Sequence, residues 1–143
     1  MKRNMFGALM TLIVAFVVSV PMVDAQSQIV LSANVPFAFS VDGKQLAAGD
    51  YEVRDAGARA TLIETKDGTA QVLGIYAYAG PSKAGDTKLV FDKIGDHYFL
   101  RQIWTSTRGQ GLSVPKSNLE KEVMASSRES GSGGAETVLI ALR

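Results

Sequence analysis

Lys88-Leu89-Val90-Phe91-Asp92-Lys93-Ile94-Gly95-Asp96-His97-Tyr98-Phe99-Leu100-Arg101-Gln102-Ile103-Trp104 reads as two β-favouring runs around a two-residue turn. Glycine stands first in Gly95-Asp96, which suits a type II′ turn with positive φ at its first central residue. In the register this turn sets, Leu89, Phe91, Tyr98, Leu100 and Trp104 share one face. Val90, Ile94, Phe99 and Ile103 share the other, with Asp92, His97 and Arg101 among them. Neither face is purely polar. Cover on both sides is therefore the expectation, one side from a second sheet and one from a helix or the C-terminal strand. The alternative is a partly exposed face that takes a ligand or partner. Arg101 lies diagonally from Asp92, within reach of an ion pair.

The same pattern of short runs and tight turns extends outward. Val35, Phe37, Phe39 and Val41 alternate with Pro36, Ala38 and Ser40, and Asp42-Gly43 follows as a hairpin signal. Leu46 leads to a turn at Ala48-Gly49-Asp50, then Tyr51 and Val53 alternate with Glu52 and Arg54. Ala60 to Lys66 and Thr69 to Ala79 form a pair around Asp67-Gly68, with Ile63 opposite Val72 and Glu64 opposite Gln71. A polar loop, Gly80 to Thr87, precedes the opening stretch, and a Gly/Ser/Thr stretch follows it. Ser117-Asn118-Leu119-Glu120 is a capping box for one short helix near 117–126, with Leu119 and Val123 as its apolar stripe. Residues 126–134 read as a flexible Gly/Ser linker. Residues 135–143 return as a strand, with Val138, Ile140 and Leu142 on one face, to pair with an early strand. The fold class is all-β: an antiparallel β-sandwich or small barrel of about eight short strands.

Lys2 and Arg3, the apolar run Met5 to Val20, Pro21 and Val23-Asp24-Ala25 have the three-part layout of a secretory signal peptide over residues 1–25. Cleavage is expected after Ala25. The apolar run is 16 residues, short of the roughly 20 that span a bilayer, so no retained membrane anchor is expected. Residues 26–125 then form the β domain. Removing Lys2, Arg3 and Asp24 leaves basic and acidic residues in balance. That argues against nucleic acid as the main partner and supports no polybasic membrane patch. The chain has no cysteine, which excludes a lipid-attachment cysteine, thiol nucleophiles and cysteine metal sites. With a single histidine, His97, neither a metal nor a cofactor is indicated. The expected location is the periplasm or the outside of the cell.

Val35-Pro36-Phe37-Ala38-Phe39 and Leu46-Ala47-Ala48-Gly49-Asp50-Tyr51-Glu52-Val53 resemble a "VPFxF … LPAGxYxV" pattern. Leu89-Val90-Phe91, Gly95-Asp96-His97-Tyr98-Phe99-Leu100 and Ile103-Trp104 resemble "LVFxxxGDxYFLxxxW". Leu112 to Glu120 is similar to a trailing "LPxSxxE". Together these resemble a family of small exported proteins of soil bacteria, notably acidobacteria, over Val35 to about Glu122. Ala47 in place of proline and the added Val114 depart from the pattern in a turn and a loop. The resemblance implies an exported β domain and carries over no catalytic residue.

Ser113 and Lys116 match an S-x-x-K spacing, but Pro115 between them disfavours the helix that chemistry needs, so a loop is expected. A serine triad would have to use His97, which reads instead as a turn-flanking residue. Aspartates 42, 67, 86 and 96 sit beside glycine and read as turn residues. The candidate binding surface is Tyr76, Tyr78, His97, Arg101 and Trp104. The leading function is an exported, non-enzymatic module that binds an unknown protein or small ligand, or serves structurally. The alternatives are an eight-stranded outer-membrane barrel, and a hydrolase using carboxylates such as Glu64 and Asp92.

Overall fold

The computed structural model describes residues 30–57, 59–81, 83, 85–106, 109–131 and 134–143. The signal peptide over 1–25 and its cleavage at Ala25 lie outside the described residues. In chain order the strands are β1 (Val30–Val35), β2 (Phe39–Val41), β3 (Lys44–Leu46), β4 (Gly49–Asp55), β5 (Ala60–Thr65) and β6 (Gln71–Ile75). They continue as β7 (Ala77–Pro81), β8 (Lys88–Ile94), β9 (His97–Thr105) and β10 (Gln110–Ser113). Helix α1 (Asn118–Glu129) and strand β11 (Glu136–Ala141) follow. The smaller sheet has the order β1-β4-β5-β6. The larger runs β11-β8-β9-β10-β7, with β2 parallel to the start of β9 at Ser40–Phe99, and β3 paired to β2. The sheets are open, with a shared apolar core between them, so the fold is an all-β sandwich and not a closed barrel.

Turn chemistry sets the local geometry. Asp42 (φ 49°) and Gly43 (φ 79°) both adopt positive φ, as a type I′ turn requires between β2 and β3. Gly95 alone is positive at the β8–β9 turn (φ 59°), in keeping with type II′. The β5–β6 connection keeps the expected register, Ile63 against Val72 and Glu64 against Gln71. Its turn differs from a two-residue hairpin. Thr65 N–H donates to Ala70 O at 2.8 Å, so four residues loop out and only Gly68 takes positive φ. The Asp67 carboxylate accepts from the Thr69 hydroxyl and amide instead. Hydrogen bonds from Thr65 and Thr69 hold its pKa down at about 2.

The core is built from alternate residues of both sheets. Leu31, Val53, Ile63 and Val72 form one row across the inner face of the smaller sheet. Phe91, fully buried, meets Phe37 and Phe39 edge-on at 5.3 Å each. Burying such a ring contributes about 2 kcal/mol. Tyr51 is buried beside Phe39 and donates its hydroxyl to Ala47 O at 2.6 Å, so its polar tip is satisfied.

Eleven strands form among the described residues where about eight were expected, for local reasons. Pro36 lacks an N–H, so Val30–Val41 divides into β1 and β2. Gln110–Ser113, within the Gly/Ser/Thr stretch, forms a strand that pairs with both β9 and β7. The expected strand Thr69–Ala79 is two strands: the chain leaves the smaller sheet at Tyr76 and enters the larger. The return strand β11 pairs with β8, not with an early strand. Only its end reaches β1, where Arg143 and Ser32 exchange backbone hydrogen bonds of 2.8 and 2.9 Å.

A bulge corrects the face assignment of the β8–β9 hairpin. Val90 pairs with Gln102 but Phe91 pairs with Leu100, so Arg101 is an extra residue in β9. Beyond it the alternation is reset. Ile103 joins Leu89, Phe91 and Leu100 in the sandwich core, and Trp104 turns to the opposite side. Both sides of the hairpin are covered along most of its length, as expected: Ile94 and Phe99, each 2 % exposed, lie on the side where α1 packs.

Ser117 caps α1, its Oγ accepting from Glu120 N–H at 3.2 Å. The helix does not stop near 126. It runs to Glu129 and ends with Gly131 at φ 68°, so residues 126–129 are helix rather than linker. The stripe also differs: Leu119 is exposed, while Glu120, Val123, Met124 and Ser127 are the covered positions.

Gly74 has no side chain because the ring of Tyr76 occupies that space. Tyr76 is buried, so it has little freedom to yield. Gly74→Ala is expected to destabilise the fold by about 1–3 kcal/mol through overpacking. Tyr76→Phe is expected to leave stability unchanged or raised, since its hydroxyl is buried without a partner. Urea unfolding of both variants checks this; a wild-type midpoint for Gly74→Ala would refute the contact.

Candidate functional site

The five candidate residues do not form one surface. Tyr76 is in the core, and its burial pushes the phenol up to about 12. Tyr78 lies on the same side of the strand, opposite Leu112, but on the last strand of its sheet. It is 56 % exposed, with the Arg59 guanidinium 5.8 Å from its ring centroid. Trp104 is on the other side of that sheet. It covers Gly111, its cross-strand neighbour, donates from Nε1 to Gln102 at 3.0 Å, and has Lys88 5.8 Å from its ring. His97 is exposed at the hairpin turn, 6.3 Å from Phe99.

Arg101 is structural in its contacts. The bulge frees its side chain, which donates to Val114 O at 2.8 Å and pairs with Asp92 at 3.2 Å. The diagonal pair read from sequence is therefore formed. A second carboxylate joins it from α1: Glu120, 2 % exposed, lies 3.8 Å from the Arg101 guanidinium. One oxygen of Glu120 is buried with no hydrogen-bond partner. Removing a carboxylate from water costs several kcal/mol unless its partners replace the hydration. Here they do not replace it fully. Burial raises the Glu120 pKa, and the cations of Arg101 and Lys116 offset this only in part.

Glu64 and Asp92 are on different sheets, each beside its own arginine, so they are not a pair. Ser113 ends β10 and Lys116 precedes α1, its amine 3.3 Å from the Met124 sulfur; they share no helix, as expected. No group of three metal-ligating side chains occurs among the described residues, and no described helix is long and apolar enough to cross a membrane.

Sequence reasoning missed the outer face and edge of the smaller sheet. Its register places Val30, Arg54, Leu62 and Leu73 in one row across all four strands. In the next row Glu52 stands opposite Glu64. Like charges in that relation repel, and Arg54 offsets the repulsion by reaching both, at 2.7 and 2.8 Å. Beside this charged cluster are Leu73 (62 % exposed) and Ile75 (75 % exposed), both on β6. A cavity of about 460 Å³ lies there, lined by Lys44, Arg54, Ala56, Leu62, Gln71 and Leu73. A second of similar size lies at the β1–β11 seam, between Asn34, Asp50, Leu139 and Arg143. The available signal is the uncharged run Thr69–Pro81, which in sequence reads as a single strand, Thr69 to Ala79, of a hairpin.

No protein-family model, curated protein or solved structure matches this chain.

The sign of the Glu120 effect is testable. A carboxylate whose folded pKa is raised favours folding most below its unfolded pKa, and that stability is lost as pH rises through the folded pKa. Glu120→Gln keeps the shape without the charge. Its stability is expected to fall less than wild type's as pH rises from about 4 toward neutrality. Thermal unfolding of both proteins across that range checks this; parallel curves would show that Glu120 is not destabilised by burial.

Proposed function

We propose that this protein is an exported, non-enzymatic β-sandwich module that binds a protein partner through the open edge of the smaller sheet. The observation that carries the reading is the edge strand β6, which among the described residues has one neighbour, β5. It presents Leu73 and Ile75 to solvent and has no charged residue from Thr69 to Pro81. Natural edges are commonly guarded by charge, proline or a bulge, because unpaired N–H and C=O groups template another strand. An unguarded edge flanked by exposed apolar side chains suits a partner that adds a strand, with main-chain bonds giving affinity and the side chains specificity.

Export rests on the signal-like residues 1–25. The resemblance of its motif order to small exported proteins of soil bacteria favours the same placement, in the periplasm or outside the cell. The balanced charge supports a protein or small uncharged surface as partner over nucleic acid.

Two measurements in the producing organism test the reading. Fractionation with N-terminal sequencing is expected to give a soluble envelope or extracellular product beginning at Gln26; a cytoplasmic product with an intact N-terminus would overturn export. A photo-crosslinking side chain at position 75 is expected to give a discrete protein adduct, and one at exposed His97 is not. Adducts absent at 75, or equal at both, would overturn binding at this edge.

A further inference from the structure

From the direction of its backbone groups, we infer that the occupant of the β6 edge is a second copy of this chain, with the two β6 strands antiparallel about a twofold axis at Leu73. This rests on the proposed edge binding and names its partner.

The hydrogen-bond phase of β6 follows from its ends. Thr65 N–H donates to Ala70 O, and Tyr76 N–H donates to Arg59 O. Both are directly opposed pairs in the register that sets Ile63 against Val72. Bonded and non-bonded pairs alternate in an antiparallel ladder. Val72 and Gly74 therefore bond to β5, and the N–H and C=O of Gln71, Leu73 and Ile75 point away from it. These are the residues whose side chains lie on the outer face.

A twofold axis at Leu73 sets Leu73 against Leu73 of the second copy and Gln71 against its Ile75. Each outward N–H then meets an outward C=O, because the same three residues supply both sides. The uncharged strand brings no like charges into opposition. On the outer face, Leu62 and Leu73 of each copy become one apolar row, bounded at both ends by Arg54. The other four edges among the described residues are less suited to such pairing. β1 is bonded to Arg143 at Ser32, β3 is three residues long and opens with Lys44, β7 carries an irregular register and Pro81, and β11 opens with Glu136 and is tied to β1 just past its far end.

The absence of cysteine gives a clean test. Facing residues of a bonded antiparallel pair have Cα atoms about 5.5 Å apart, within the roughly 4.4–6.8 Å that a disulfide spans. In the full chain, Leu73→Cys is expected to oxidise to a disulfide-linked dimer, and Leu139→Cys, exposed on β11, is not. Sedimentation of the cysteine-free protein is expected to show a dimer at micromolar concentration. Leu73→Lys, which sets two lysines face to face on an exposed site, is expected to weaken it about tenfold or more. A wild-type monomer at all concentrations, or equal oxidation of both cysteine variants, overturns the second copy as occupant. A monomer that still gives a heterologous adduct from position 75 overturns this inference alone and leaves edge binding standing; loss of both adduct and dimer removes both.

Discussion

One extra residue in β9 decides how the larger sheet is used. The Arg101 bulge shifts the alternation by one position, so Leu89, Phe91, Leu100 and Ile103 all face the smaller sheet. Without it, Ile103 would leave the core and Trp104 would replace it. The same irregularity frees Arg101 to hold Val114 O and Asp92, which fixes the segment that leads from β10 into α1. The helix then packs on β8 beside Ile94, on the side of the hairpin where Phe99 is also buried, and the hairpin becomes the middle layer of the molecule. Bulges commonly re-aim side chains in this way.

Among the described residues β1, β3, β6, β7 and β11 stand at sheet edges, and the fold treats them unequally. Along one side the chain just past β11 is joined to the middle of β1 by the exchange between Arg143 and Ser32. On the other side the chain crosses from β6 to β7 through Tyr76, whose ring lies over Gly74. Crossing within a single extended segment joins the sheets without a loop, but it leaves β6 with one partner. The exposed Leu73 and Ile75 follow from that position, since no further strand among the described residues shields the outer face beside them.

Charge is arranged locally. On the smaller sheet, Arg54 makes the facing carboxylates of Glu52 and Glu64 compatible. On the larger, Arg101 serves Asp92 and reaches toward Glu120. The two clusters differ in solvent access. Arg54 and its two carboxylates keep part of their surface in water, whereas Glu120 is 2 % exposed with one oxygen unpartnered, so desolvation outweighs attraction there.

The sequence by itself determined the all-β class, the turns at Asp42-Gly43 and Gly95-Asp96, the Ile63–Val72 register, the Asp92–Arg101 pair and the Ser117 helix cap. Each depends on residues close in sequence or on period-two alternation, which local sterics enforce. Only the tertiary structure decided the faces of Ile103 and Trp104, the inward turn of Glu120 in place of Leu119, the division of residues 69–79 between two sheets, and the open β6 edge. A bulge, a helix phase and a change of sheet are each set by which distant strand offers a partner, and alternation along one strand carries no record of that choice.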